Sequence, residues 1–133
     1  MIGEISLLPV LIAVIADMAI GALWYSPVLF GKYWMSEMGM KEADLKNAGK
    51  YMAMGVLNSV IMMTVLAYFL KTLTITTPDA AIETAFLLWL GFVATGTMLS
   101  VIYEKRKLSV YGLGVSYQLV ALMVGSIIIT VWK

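Results

Sequence analysis

Cysteine and histidine are both absent from the 133 residues. No disulfide, thiolate nucleophile or Cys/His metal site can form, and neither can a histidine-ligated haem or a Ser-His-Asp triad. The missing cysteines fix no redox compartment; they remove one kind of evidence. Charge is scarce as well: 13% of residues are Asp, Glu, Lys or Arg, against about a quarter in soluble domains. Nine Lys+Arg against eight Asp+Glu leave a net charge of +1, which argues against nucleic acid or an acidic partner. There is no G-x-x-x-x-G-K-[ST] phosphate loop; Gly112 and Gly114 open a helix instead. These absences predict no cofactor, no metal and no enzyme activity.

What fills the chain is apolar. Hydrophobic residues make up 62% of it, with a mean hydropathy of +0.93. A single small domain has too little interior for that much apolar surface, so lipid must solvate most of it. Four runs carry this composition: Ile5 to Tyr25, Tyr51 to Leu70 closed by Lys71, Ala80 to Tyr103, and Val110 to Trp132. About 20 apolar residues span roughly 30 Å of hydrocarbon, and none of these runs alternates as a barrel strand does. The expected fold is all-α: one integral membrane four-helix bundle, residues 1–133. Its helices are placed at about 5–25, 51–71, 80–103 and 110–132, and a short interfacial helix at about 27–38. A signal peptide would want a basic start and a shorter apolar stretch, whereas only Glu4 is charged before the first run. Pro9 falls in the first turns, where a missing N–H costs least, and Asp79 is the expected N-cap of the third helix.

The loops set an orientation. Lys32, Lys41, Lys46, Lys50, Lys105, Arg106 and Lys107 fall on one side, Lys71 and Lys133 on the other. The positive-inside rule then puts both termini outside and the two basic loops in the cytoplasm, where Glu104 to Lys107 would meet anionic headgroups. Trp24, Tyr25, Tyr51, Tyr68, Phe69, Tyr103, Tyr111 and Trp132 at the run ends read as an aromatic belt. In the first loop, Leu29, Phe30, Tyr33, Trp34 and Met38 recur at helical spacing, as in a helix lying in the headgroup region. Residues 41–50 are polar and suit a further helical turn or two in water.

Asp17 is the most informative residue. An ionisable group deep in a span costs about 2.5–3.5 kcal/mol on insertion scales and turns inward to a partner. It lies eight residues from Tyr25, or ~12 Å in at about 1.5 Å per residue. Asn58, Thr95 and Gln118 lie at nearly the same depth in the other three helices, so the four form an expected polar layer. Small residues mark the faces that would close around it: Ala13, Asp17, Gly21 and Trp24 on one stripe, Gly55 and Ser59 beside Asn58, Gly96 with Ser100, and Ala121 with Gly125. Glu83 reads as a solvated end charge, and the eleven methionines as filler.

The run IGALWYSPVLFGKYW, Ile20 to Trp34, resembles the signature of a family of small bacterial and archaeal membrane proteins, domain of unknown function 1761. Trp89 to Trp132 is similar to that family's second half, including the turn at Glu104 and the adjacent Tyr117 and Gln118. The resemblance implies four helices in a bacterial or archaeal cell membrane and brings no catalytic residue. Two functions fit. One is a structural or interaction protein, a homo-oligomer or a subunit of a larger membrane complex with the lipid bilayer as its other partner. The alternative is a small proton-coupled transporter or channel working through Asp17. Orientation has a direct test, since the chain lacks cysteine. A Lys46→Cys variant should react with an impermeant thiol reagent only after the cells are opened; labelling of intact cells would reverse the topology.

Overall fold

The computed structural model describes residues 5–26, 28–38 and 48–132. Among them are five helices: α1 (Leu7–Trp24), α2 (Gly31–Met38), α3 (Ala48–Thr72), α4 (Pro78–Tyr103) and α5 (Leu108–Val131). Four are long and apolar enough to cross a membrane, and the short α2 lies between the first two of them. The fold is the all-α four-helix arrangement expected. Residues 41–47 lie outside the described residues; Ala48 to Lys50, expected in a separate polar helical turn, are helical and form the first turn of α3.

Helix ends follow local chemistry. The α4 N-cap is Thr77, not Asp79: Thr77 Oγ1 accepts from the Ala80 N–H at 3.3 Å. Pro78 is the reason, since it fits the first helical position with its fixed φ and moves the cap two residues earlier. Asp79 sits in the first turn, where a negative charge suits the helix dipole. At the far end of α3, Thr74 has φ 58°, and the N–H groups of Thr74 and Ile75 bond back to the carbonyls of Lys71 and Leu70. That pair of bonds is a Schellman stop.

The spans pack around α5, which lies against α1, α4 and α3. One stripe of α1, Val10, Ala13, Val14 and Asp17, is buried; Ser59, Met63, Leu66, Ala67 and Leu70 form the matching stripe of α3. Small residues let these faces close. A Cβ added to Gly125 would lie 2.7 Å from Met63 Sδ and 3.8 Å from Ala13 Cβ, so three helices meet there without room to spare. The Gly96/Ser100 pair of α4 does not close such a contact: Gly96 faces open space, and Ser100 Oγ donates to the Thr97 carbonyl of its own helix.

α4 is fastened differently. Its middle, Trp89–Ala94, widens into a π-helix, a rare form found mostly as a single-turn bulge within an α-helix. Trp89 Nε1 donates to the Val115 carbonyl at 2.7 Å, and Tyr111 Oη donates to the Ala94 carbonyl at 2.7 Å. Buried side chains on α4 are only Ala81, Ala85 and Ala94. Two aromatic hydrogen bonds across the α4–α5 seam therefore add to the packing of Ala85, Leu88 and Val93 on the core.

The segment after α1 is a tight elbow. The Phe30 N–H bonds to the Trp24 carbonyl and the Gly31 N–H to the Ser26 carbonyl, which folds α2 back under α1. A Cβ on Gly31 would fall 2.7 Å from backbone atoms of Ser26, which have no rotamer to yield with. Trp24 packs on Phe30 and Tyr25 on Trp34, with ring centres 5.2 and 5.1 Å apart. The helix expected over 27–38 begins at Gly31, so Val28 to Phe30 are turn. Trp24, Tyr25 and Tyr111 are half-buried; Trp24 Nε1 donates to the Leu113 carbonyl at 3.1 Å. These three belt candidates turn to the protein, whereas Tyr103 and Trp132 are exposed as a belt requires. Gly31→Ala should open the elbow and lower thermal stability in detergent by about 1–3 kcal/mol, more than Gly49→Ala, whose Cβ meets nothing. Equal effects of the two would contradict the elbow.

Candidate functional site

Asp17 is 4% exposed although it lies in the middle of a spanning helix. Its carboxylate is held from two other helices. Ser59 Oγ of α3 donates to Oδ2 at 2.5 Å, and Tyr117 Oη of α5 donates to Oδ1. The phenol oxygen also lies 3.3 Å from the Asp17 backbone carbonyl. Each side chain arrives for a local reason. Ser59 stands on the buried α3 stripe one turn from Met63. Tyr117 crosses α1 over Gly21, where an added Cβ would lie 3.1 Å from the phenol oxygen. A side chain at Gly21 would crowd that oxygen away from Asp17. The Tyr25 ring then meets Tyr117 edge-on at 6.0 Å, and the Tyr25 hydroxyl stands 3.7 Å from a Cβ built on Gly114.

Only one member of the expected layer occupies this centre. Asn58 is exposed on α3. Thr95 is exposed on α4, with its hydroxyl bonded to the Gly91 carbonyl of the same helix at 2.7 Å. Gln118 is half-buried, and neither it nor Asn58 hydrogen-bonds Asp17. The partners are the adjacent residues, Ser59 and Tyr117. Counting along a helix brings the right turn to the right level, but one residue is 100° of rotation, enough to carry a side chain from the interior to the outer surface. Ser59 was legible as a small residue on a packing face, not as a donor. The signal for it was the i, i+4, i+7, i+11 stripe it shares with Met63, Leu66 and Leu70.

Chemically the centre can fix three helices through one carboxylate, with both oxygens accepting. Three of the cavities walled by described residues are one of about 330 Å³ at the Lys71 and Trp132 end, one of about 270 Å³ between α3 and α4, and one of about 290 Å³ by Glu37 and residues 104–107. None of the three is lined by Asp17. Among the described residues no group of three His, Cys, Asp or Glu could hold a metal ion. At the basic end, Lys107 Nζ pairs with Glu37 Oε2 at 3.0 Å and ties α2 to the α4–α5 turn. Such an exposed pair is worth little by itself.

A family model described as "Protein of unknown function (DUF1761)" matches residues 8–130, which include Asp17, Ser59, Tyr117 and the aromatic elbow. The chain belongs to that family. Searches of curated proteins and of solved structures found no match. Tyr117→Phe and Ser59→Ala should each lower stability by about 0.6 kcal/mol, with about 1.7 as the upper end for an interhelical hydrogen bond in a membrane. In a double-mutant cycle with Asp17→Ala, Tyr117→Phe should couple by a similar amount, whereas Asn58→Ala should be additive within about 0.5 kcal/mol. Measured coupling of Asp17 to Asn58 and not to Tyr117 would overturn the centre.

Proposed function

We propose that this protein is a structural and interaction subunit of a bacterial or archaeal cell membrane, as a homo-oligomer or as part of a larger membrane complex, without enzyme activity. The observation that carries this reading is the satisfied carboxylate. Both Asp17 oxygens accept from hydroxyls of other helices, one on α3 and one on α5, an arrangement suited to holding helices together. Exposed apolar side chains such as Leu57, Ile61, Phe92 and Leu99 leave the outer face of the bundle for lipid and for other helices. In this reading both termini face outward, with Lys32 and Lys105 to Lys107 in the cytoplasm.

The transporter reading rests on a different feature, the sequence of Asp17, Tyr117 and Tyr25 running toward the basic end. It is the alternative outcome of the test. Protein reconstituted in liposomes under a pH gradient should leak protons no faster than empty liposomes, and Asp17→Asn should alter stability without altering flux. Proton flux in the parent that Asp17→Asn abolishes, in a variant that still folds, would establish transport and remove the subunit reading.

A further inference from the structure

Asn58 is the anomaly of the outer surface. It is exposed on α3, next in the chain to the Ser59 that reaches Asp17, and six residues inside the apolar stretch Met52–Thr72. At about 1.5 Å per residue that places its amide ~9 Å into the span. Thr95, the other exposed polar residue of the predicted layer, is satisfied by the carbonyl one turn back on its own helix. Asn58 makes no such bond among the described residues. A primary amide left in hydrocarbon loses its hydrogen bonds to water without replacement, a penalty of several kcal/mol.

We infer that α3 carries a homodimer interface in which Asn58 of one copy hydrogen-bonds Asn58 of a second copy across a two-fold axis in the bilayer. This deepens the subunit reading above, on which it rests, by naming surface and partner. The amide chooses the occupant. It holds both a donor and an acceptor, so it is complementary to itself, and a two-fold interface brings a residue near the axis against its own copy. Lipid tails offer neither group. The surroundings suit a second helix. Leu57 and Ile61, beside Asn58 and one turn on, are exposed and apolar. Met62 and Val65 open the groove of about 270 Å³ between α3 and α4, whose floor is Leu122 of α5. Side chains of the second copy's α3 fill that groove while the two amides pair at its edge. Asp17 stays inside each bundle, so the dimer forms without disturbing the three-helix centre.

The test uses the cysteine-free chain reconstituted in liposomes at decreasing protein-to-lipid ratio. Oligomeric state is read by single-molecule photobleaching, and contact by disulfide formation with a mild oxidant. A dimer is expected. Asn58→Cys and Ile61→Cys should cross-link within it, and Val56→Cys, about 200° round the helix from Asn58, should not. Asn58→Leu should weaken dimerisation by roughly tenfold with an unchanged monomer fold, since this side chain makes no contact that holds the bundle together. A dimer in which Asn58→Cys stays unlinked and Asn58→Leu has no effect would overturn this surface and leave the oligomer standing. A monomer at every dilution would overturn both the surface and the homo-oligomer, leaving a subunit of a mixed complex.

Discussion

A carboxylate set among apolar helices must draw its hydrogen bonds from the protein, because lipid supplies none. Asp17 meets that requirement with one hydroxyl from α3 and one from α5, and much of the bundle is arranged to bring those hydroxyls to it. Gly21 leaves the space through which Tyr117 reaches. Ala13, Met63 and Gly125 set the distance between the same three helices one turn farther on. Without a hydrophobic driving force between spans, close packing and such hydrogen bonds are what hold membrane helices together. Here the two coincide along a single line of contact.

α4 stands apart from that line. It is attached by hydrogen bonds from Trp89 and Tyr111 to backbone carbonyls, made at the two ends of a π-helical stretch. Its side chains are the least buried of the four spans. The aromatic elbow completes the other end, where Gly31 allows the chain to reverse against its own backbone and Trp24 seats on α5. The result is a three-helix centre, a fourth helix laid on it and an outer surface that is largely apolar. An exposed amide on that surface is physically out of place unless another helix meets it.

How much of this was legible follows from what each signal measures. Length and hydropathy report crossings, so the four spans could be read directly, with starts moved by two or three residues, as at Pro78, and the first span closed by the elbow one residue early. Relative level was legible too: Ser59 and Tyr117, which reach Asp17, are the chain neighbours of the Asn58 and Gln118 counted to its level. Rotation was not. In a soluble helix the polar face marks the outside, but a span surrounded by lipid is apolar all round, and its few polar residues point in or out with no contrast to tell which. Asn58 and Gln118 were therefore chosen over Ser59 and Tyr117, their immediate neighbours. The stripe of Ala13, Asp17, Gly21 and Trp24 was read correctly because small residues carry directional information that hydropathy lacks. The same logic failed at Gly96 and Ser100, since a small-residue pair permits close approach without requiring it.

The central claim is that Asp17 is bonded by Tyr117 and Ser59 and not by the amides at its level. Infrared difference spectroscopy of the protein in lipid, with the aspartates isotopically labelled and the Asp17→Asn spectrum subtracted, reads that carboxyl group directly. The account predicts that Tyr117→Phe and Ser59→Ala each shift the Asp17 band, while Asn58→Leu leaves it in place. A band that moves with Asn58 and ignores Tyr117 would contradict it.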